Sequence, residues 1–154
     1  MCGICGYTFS DNARVVEDAL VLRMGAALEH RGPDDSGYWT NGHVGIAARR
    51  LSIMDVEHGH QPMVNEDETW CVAFNGELYN APDLRESMTS RGYRFETMCD
   101  TEVVLRAFEA YGESAMEQFN GMFAIAAYNG AEDRLILVRD RLGIKPLYYT
   151  QANG

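Results

Sequence analysis

The sequence predicts an α+β fold built largely from antiparallel strands. Apolar runs of strand length and segments of helical periodicity follow one another in the order strand, helix, strands, helices, strands. Two Asn-Gly pairs, Asn41-Gly42 and Asn129-Gly130, each separate two apolar runs, which is the pattern of a tight antiparallel hairpin. The 154 residues suffice for one domain with a hydrophobic core and are too few for two comfortable ones.

The first half of the chain predicts a strand, a helix and a set of strands. Residues 3–9 form a short apolar strand. Residues 15–29 carry apolar side chains at helical spacing, and the run His30-Arg31-Gly32-Pro33 ends that helix. Three strands follow, the first two of them on either side of the first Asn-Gly turn: residues 36–40, 43–50 and 70–74.

Two helices come next. The first covers residues 80–91, with Asn80 as its N-cap and Pro82 in its first turn. The second covers residues 101–111 and ends at Gly112, because glycine is the common residue after the last helical turn.

The last predicted strands form a second hairpin and one further strand. Residues 122–128 and 134–138 lie on either side of the second Asn-Gly turn. Residues 147–150 begin another strand, which reaches the end of the sequence without a partner. We therefore expect a domain that is truncated at its C-terminus.

Composition and charge exclude several classes of protein. A formal net charge of −10 repels a phosphate backbone, so nucleic acid is not an expected partner. Charged residues from Asp11 onward interrupt the N-terminal segment, and no stretch is long and apolar enough for a membrane helix. We therefore expect a cytoplasmic protein without membrane contact, in which the four cysteines are thiols rather than disulfides.

Cys2 is the first candidate for chemistry, because it becomes the N-terminal residue when Met1 is removed. Its thiol, with an ordinary pKa of about 8.5, then shares a residue with an α-amine whose ordinary pKa is about 7.7–8. The amine can take the proton of the thiol, so this nucleophile carries its own base. The alternative is a small buried side chain near the start of the chain.

Cys2 and Cys5 also form a C-x-x-C pair, so a redox or zinc site is an alternative. A redox pair of this kind opens a helix after a strand, whereas residues 6–9 continue as a strand here. A zinc site would need Cys71 and Cys99, neither of which has a C-x-x-C partner. The pattern favours a nucleophile over a redox or metal site.

Arg50 is the second candidate. By the period of two it lies on the same strand face as Val44, Ile46 and Ala48. A guanidinium on an apolar face needs a carboxylate, and its planar fork suits the carboxylate of a ligand. The alternative is that the strand ends there and Arg50 is solvated, as we expect for Arg49 on the opposite face.

Asn75-Gly76 follows the strand at residues 70–74 and has two interpretations. Asn-Gly commonly forms a hairpin turn, but the residues after it enter a helix rather than a matching strand. An Asn amide beside a Gly N–H is also what an oxyanion hole requires, two donors converging on one oxygen. Asp100, at the start of the second helix, is either an N-cap or an acceptor for an ammonium group of a ligand.

In this order, these features resemble the class II, N-terminal-nucleophile glutamine amidotransferase domain of asparagine synthetases. The matching segments span essentially the whole chain: Met1-Cys-Gly-Ile-Cys-Gly6, His30-Arg-Gly-Pro-Asp34 with Ser36-Gly37, Arg50-Leu-Ser-Ile53, Phe74-Asn-Gly-Glu-Leu-Tyr-Asn80, Asp100-Thr-Glu102, Phe119-Asn-Gly-Met-Phe123 and Arg139-Asp-Arg-Leu-Gly-Ile-Lys-Pro-Leu-Tyr-Tyr149. The sugar-phosphate and phosphoribosyl amidotransferases share the start, but the His-Thr-Arg-Trp segment typical of them is missing here.

The resemblance implies a fold, an activity and a set of roles. The fold is a four-layer α/β/β/α sandwich of two largely antiparallel sheets, that of the N-terminal-nucleophile hydrolases. Residues 1–154 would be a glutaminase domain, which hydrolyses glutamine to glutamate and ammonia through a Cys2 thioester and needs no cofactor for that step. The implied residues are the nucleophile Cys2, the oxyanion donors Asn75 and Gly76, the glutamine-binding residues Arg50 and Asp100, and the pocket residues Leu51, Ile53 and Glu77.

The resemblance also implies a partner. Ammonia would pass to an asparagine-synthetase-type domain, which uses ATP and Mg²⁺ and carries a Ser-Gly-Gly-x-Asp-Ser phosphate loop. This sequence has no such loop, so we expect no synthetase domain within it. A homodimer is compatible with the resemblance. An ammonia acceptor other than aspartate, and a catalytically silent binding module, stay open as alternatives.

Overall fold

The computed structural model describes residues 2–52, 55 and 58–152 and confirms the predicted α+β architecture. Two antiparallel sheets pack face to face, and helices cover the outer face of each sheet. The result is four layers in the order α/β/β/α. Within these residues no helix is long and apolar enough to cross a membrane.

The first sheet has three strands in the order β1-β3-β2. Its elements, together with the helix that packs on all three strands, are β1 (Gly3–Thr8), α1 (Asp18–Ala26), β2 (Asp35–Asn41) and β3 (Val44–Arg50). Gly42 has a φ of 54° in the tight turn between β2 and β3, a conformation that favours glycine. The first predicted hairpin is therefore confirmed.

The second sheet has four strands in the order β4-β5-β6-β7. Its strands and the helices outside it are β4 (Met63–Val64), β5 (Trp70–Leu78), α2 (Ala81–Ser90), α3 (Asp100–Tyr111), α4 (Ala115–Gln118), β6 (Gly121–Asn129) and β7 (Arg134–Arg139). The second hairpin and both predicted helices are confirmed, and the helix end at Gly112 has a φ of 56°.

Strand β5 is buried on both faces and so contributes to two hydrophobic clusters. Cys71 and Ala73 lie in the cluster between the two sheets, together with Ile46 of β3. Phe74 lies in the other cluster, between the second sheet and helix α3, where Phe108 is fully buried. The central strand of the domain is thus apolar up to the point where polar residues begin at position 75.

Helix α1 begins at Asp18, later than the predicted residue 15. The N–H of Val16 donates to the C=O of Gly42 (2.8 Å), and the N–H of Glu17 donates to the Tyr7 hydroxyl (2.7 Å). Because these bonds hold the preceding residues extended against the first sheet, the helix cannot start earlier.

Two strand predictions are wrong. The strand predicted for residues 70–74 continues to Leu78, so Asn75-Gly76 lies inside a strand and is not a hairpin turn. The reason is that β6 supplies ladder partners along the whole of β5. Residues 147–150 form no strand, since within the described part of the chain no strand pairs with them.

Asn80 precedes α2, as predicted, but makes no capping hydrogen bond. Its amide instead donates to the C=O of Gln118 (2.9 Å) and accepts from the N–H of Asn120 (3.0 Å). It therefore ties the start of α2 to the turn before β6.

Candidate active site

One pocket collects the residues that the sequence predicts for the site. It lies where the start of β1, the end of β3, the second half of β5 and the start of α3 meet, and its volume is about 170 Å³. Pockets for drug-sized ligands are larger, at roughly 300–1,000 Å³, so this one suits a molecule of amino-acid size. The predicted residues that line it are Cys2, Arg50, Leu51, Asn75, Gly76, Glu77 and Asp100. The predictions for Ile53 and for the removal of Met1 fall outside the described residues.

Cys2 reaches this pocket because of the register between β1 and β3. Gly3 pairs with Arg49, which brings Cys2 beside Arg50 at the end of β3. The half-buried Cys2 Sγ lies 3.9 Å from the C=O of Leu51, within hydrogen-bond range for a thiol.

Cys2 and Cys5 do not form a functional pair. Three residues apart on an extended chain, their side chains point to opposite faces. Burial raises the pKa of Cys5 to about 11, which disfavours the thiolate that redox chemistry requires. All four cysteines are free, and the described His, Cys, Asp and Glu residues form no group of three or more that could hold a metal ion.

Arg50 is only 6% exposed, so the solvated interpretation is wrong. Its Nη2 donates to the C=O of Asp55 (2.8 Å), and Gly59 packs so closely that a Cβ there would overlap the guanidinium. The solvation expected for Arg49 is also wrong, because that side chain is 14% exposed and lies 3.6 Å from Glu29. Arg50 is therefore held in place at the pocket.

The backbone of β5 has one paired edge and one partly open edge. One edge pairs with β6 throughout, whereas the other pairs only with the two-residue strand β4. Beyond β4, the N–H of Phe74 donates to Gln61 Oε1 (2.7 Å), and the N–H of Leu78 donates to Asp100 Oδ2 (3.1 Å). Backbone groups of alternate residues in a strand point to the same edge, so the N–H of Gly76 points there as well.

The partner of Gly76 on β6 supports this direction. Gly76 pairs with Phe123, whose N–H donates to Asp140 Oδ2 (3.1 Å) and whose C=O accepts from the Asp140 N–H (2.9 Å). Since the polar groups of Phe123 face away from β5, this is a non-hydrogen-bonded pair, and the Gly76 N–H makes no hydrogen bond within the described part of the chain. A Cβ at position 76 would overlap the C=O of Met122, which explains the glycine.

Asn75 is 6% exposed, and it follows five buried apolar residues of β5. Its Oδ1 has no hydrogen-bond partner among the residues that the structure describes. A buried polar atom without a partner costs free energy, so a ligand that completes its bonding would be favoured. A ligand amide can do so in either orientation, because a half-turn of the Asn carboxamide exchanges its oxygen and its NH₂ group.

Asp100 is the first residue of α3, but the N-cap is Cys99, so the capping interpretation is wrong. Burial raises the pKa of Asp100, and the nearby charge of Glu77 adds to the rise. The carboxylate still accepts the Leu78 N–H. An ammonium group of a ligand would offset the cost of burying this charge.

Gln61 and Lys145 also line the pocket, although the sequence analysis assigns a role to neither; Lys145 lies within the matching segment 139–149, and Gln61 lies in no matching segment. Their side chains are buried, at 4% and 5% exposed. Lys145 is the only lysine in the sequence, and that rarity is a signal that could have identified it. Its position is set by Asp140, which accepts the backbone N–H groups of Ile144 and Lys145 (both 2.9 Å).

The pocket can bind a zwitterion beside a thiol. Arg50 and Lys145 are cationic, Glu77 and Asp100 are acidic, and all four line the same cavity as Cys2. A ligand with one carboxylate and one ammonium group therefore finds an opposite charge for each. A thiol and an open backbone N–H that face the same pocket are groups that acyl transfer requires.

Comparisons with known proteins agree with this chemistry. The sequence model of the glutamine amidotransferase domain family matches residues 1–154. The chain is 45% identical to asparagine synthetase [glutamine-hydrolyzing] 1 of Bacillus subtilis (strain 168), over 99% of this chain and 24% of that protein. It is 38% identical to asparagine synthetase B [glutamine-hydrolyzing] of Escherichia coli (strain K12), over 96% of this chain and 26% of that protein. The chain thus spans about a quarter of the length of these relatives.

Solved structures with a similar fold include the glutamine phosphoribosylpyrophosphate amidotransferase of B. subtilis complexed with ADP and GMP. That structure has a TM-score of 0.68 and 20% identity, over 94% of this chain and 38% of its own. At this identity the likeness establishes the fold, and it agrees with the four layers described above.

Replacing Asp100 by Asn is expected to stabilise the protein at neutral pH, since Asn keeps an acceptor for the Leu78 N–H and removes a buried charge. The pKa of Asp100 is raised in the native state above its unfolded value of about 3.9. The free energy of unfolding of the wild type, minus that of Asp100→Asn, therefore falls as the pH rises from about 3.9 to the raised native pKa. Above that pKa the difference is constant. Urea denaturation of both proteins at a series of pH values measures this difference.

The matched control, Asp140→Asn, should show the opposite sign. Burial alone would raise the pKa of Asp140, but backbone N–H donors from Lys145, Ile144 and Phe123 hold it below its usual range. The free energy of unfolding of the wild type, minus that of Asp140→Asn, therefore increases as the pH rises from that lowered native pKa to about 3.9. The same sign for both variants would contradict this description of the pocket's electrostatics.

Proposed function

The chain belongs to the glutamine amidotransferase domain family, and from this premise we propose that its pocket hydrolyses the side-chain amide of glutamine to glutamate and ammonia. The observation that carries the proposal is the convergence of Cys2, Arg50, Gly76 and Asp100 on one pocket of amino-acid size. These residues come from four separate elements, and no feature of an apolar core requires them to meet.

Glutamine would be held by its two α-groups. Its α-carboxylate pairs with the guanidinium of Arg50, and its α-ammonium pairs with the carboxylate of Asp100. The side chain then extends along Leu51 and Glu77 toward the thiol. Asparagine would be rejected because its side chain is too short to reach, and simple amides because they lack both charged contacts.

The first chemical step is attack of the Cys2 thiolate on the amide carbon. The carbon–sulfur bond forms, and the negative charge that develops on the amide oxygen is stabilised by the Gly76 N–H and the Asn75 amide. One such donor lowers the barrier by roughly 3–4 kcal/mol. The α-ammonium of Cys2 returns its proton to the departing nitrogen, the carbon–nitrogen bond breaks, and ammonia leaves a thioester behind.

The second step hydrolyses the thioester. Water attacks the same carbon, the α-amine of Cys2 takes a proton from that water, and the carbon–sulfur bond breaks to release glutamate and the thiol. Both steps need the α-amine of Cys2 as a free base. A chain that retains Met1 has this nitrogen in an amide bond and should be inactive.

We propose that a partner domain consumes the ammonia. The relatives named above are asparagine synthetases that are about four times as long as this chain. A synthetase-type domain that activates aspartate with ATP and Mg²⁺ is accordingly the proposed partner, and the glutaminase step itself uses no cofactor. The pocket is formed within one chain, so the proposal does not require a homodimer. The proposed compartment is the cytoplasm, where the Cys2 thiol stays reduced.

Cys2→Ala should lower the release of ammonia from glutamine by at least about a thousandfold, because the other thiol that lines the pocket, that of Cys99, is 3% exposed and has no α-amine of its own to act as a base. The assay uses protein from which Met1 has been removed. Intact mass confirms the N-terminal residue, and the product is measured as free ammonia. Cys5→Ala is the matched control, since this thiol lies three residues away on the opposite face of the chain, and it should keep wild-type activity per folded molecule.

A folded wild-type chain that lacks Met1 and releases no ammonia would contradict the proposal. It would support instead a binding module with no catalytic activity.

Arg50→Lys should raise the KM for glutamine by about tenfold or more and change kcat little, because lysine keeps the charge but loses the two-pronged contact with the α-carboxylate. Arg49→Lys is the matched control on the same strand and the opposite face, and its KM should stay near that of the wild type. Steady-state kinetics over a range of glutamine concentrations separates the two. Equal effects at both positions would contradict the binding role of Arg50.

A further inference from the structure

Gln61 joins strand β5, which carries the proposed oxyanion donors, to helix α3, which begins with the proposed ammonium acceptor Asp100. Its side chain is 4% exposed and lines the pocket. Oε1 accepts the N–H of Phe74 on β5 (2.7 Å), and Nε2 donates to Oγ1 of Thr101 on α3 (2.9 Å). Phe74 lies two residues before Gly76 on the same edge of the strand, and Thr101 directly follows Asp100.

The register of β4 shows that the Gln61 side chain takes the place of a backbone hydrogen-bond partner of β5. Met63 pairs with Val72 in an antiparallel ladder, so an extension of β4 toward its start would place residue 61 opposite Phe74. The backbone C=O of Gln61 instead lies against Gly37 of the first sheet, so closely that a Cβ at Gly37 would overlap it. The Gln61 carboxamide thus satisfies the Phe74 N–H, and the ladder ends at β4.

Ending the ladder at this point leaves the next N–H on the edge open. The open edge carries Phe74, Gly76 and Leu78 in turn, and the first and third N–H groups are taken by the side chains of Gln61 and Asp100. The Gly76 N–H lies between two fixed neighbours, one on each side. Both neighbours are attached to the start of α3, Gln61 through Thr101 and Asp100 as its first residue.

We propose that Gln61 is a positioning residue of the glutaminase reaction, which fixes the direction of the Gly76 N–H and its location relative to Asp100. It acts through these two residues and needs no contact with the substrate. The inference rests on the proposed function, since the Gly76 N–H matters only if a charge develops on an oxygen beside it.

The test compares two buried carboxamides. Gln61→Met removes both hydrogen bonds at nearly constant volume. Asn65→Leu is the control: Asn65 is also 4% exposed, accepts the N–H of Trp70 at the other end of β5 (2.8 Å), donates to Thr69 Oγ1 (3.1 Å) and does not line the pocket. Both variants leave a buried strand N–H without its partner, so both should lower the melting temperature.

Only Gln61→Met should lower kcat for glutamine hydrolysis per folded molecule, by at least about tenfold, because a displaced donor loses its contact with the transition state. Asn65→Leu should keep kcat within about twofold of the wild type. A kcat for Gln61→Met within about twofold of the wild type would overturn the inference, whatever its melting temperature.

Thr101→Val is the milder second variant, which removes the hydrogen bond between Gln61 and helix α3 and nearly keeps the shape of a side chain that also lines the pocket. It should raise the KM for glutamine several-fold with a smaller change in kcat, because the start of α3 carries Asp100. An unchanged KM would count against the inference.

Labelling of Cys2 separates failure of the inference from failure of the proposed function. A diazoketone analogue of glutamine should label Gln61→Met more slowly than the wild type, while iodoacetamide, which uses no oxyanion donor, should label both at the same rate. Equal rates with the diazoketone, in a wild type that does hydrolyse glutamine, would overturn the inference alone. A folded wild type that neither hydrolyses glutamine nor reacts with the diazoketone would overturn the proposed function and the inference with it.

Discussion

The site depends on an asymmetry in the hydrogen bonding of strand β5. One edge of this strand is fully paired with β6, and the other is open beyond the two residues of β4. A backbone N–H of a central strand is normally used in the ladder, because leaving it unpaired in the interior costs free energy. Here the open edge is satisfied by side chains on either side of Gly76, so one N–H stays directed at the pocket while the strand remains rigid and buried.

The buried polar groups of the site lie at the edge of the apolar core. Arg50, Asn75 and Gln61 are all less than a tenth exposed, and each sits at the boundary between the two hydrophobic clusters and the pocket. The elements that carry them are held by apolar contacts on both faces of β5. The apolar layers therefore supply the rigidity, and the ends of the strands and the start of α3 supply the chemistry.

Local patterns in the sequence were sufficient for the parts of the site that are set by local geometry. Alternation along β3 placed Arg50 on the inner face, and the position of Cys2 required only the order of the chain. The direction of the Gly76 N–H could not be predicted, because it depends on the register with β6, and Asn-Gly alone favours a turn. The role of Gln61 also cannot be predicted from the sequence, because a single neutral side chain in a loop has no periodicity. Only its hydrogen bonds to the distant residues Phe74 and Thr101 indicate a role.

In the proposed mechanism, the Gly76 N–H is the backbone donor to the reacting oxygen of glutamine. The most direct measurement is a crystal structure of the chain without Met1, in which Cys2 is alkylated by a diazoketone analogue of glutamine. We expect the ketone oxygen of the adduct at about 2.7–3.1 Å from the Gly76 nitrogen, with the α-carboxylate of the analogue at Arg50 and its α-ammonium at Asp100. An adduct whose oxygen points away from the edge of β5, or a Gly76 N–H bonded to another group of the protein, would contradict it.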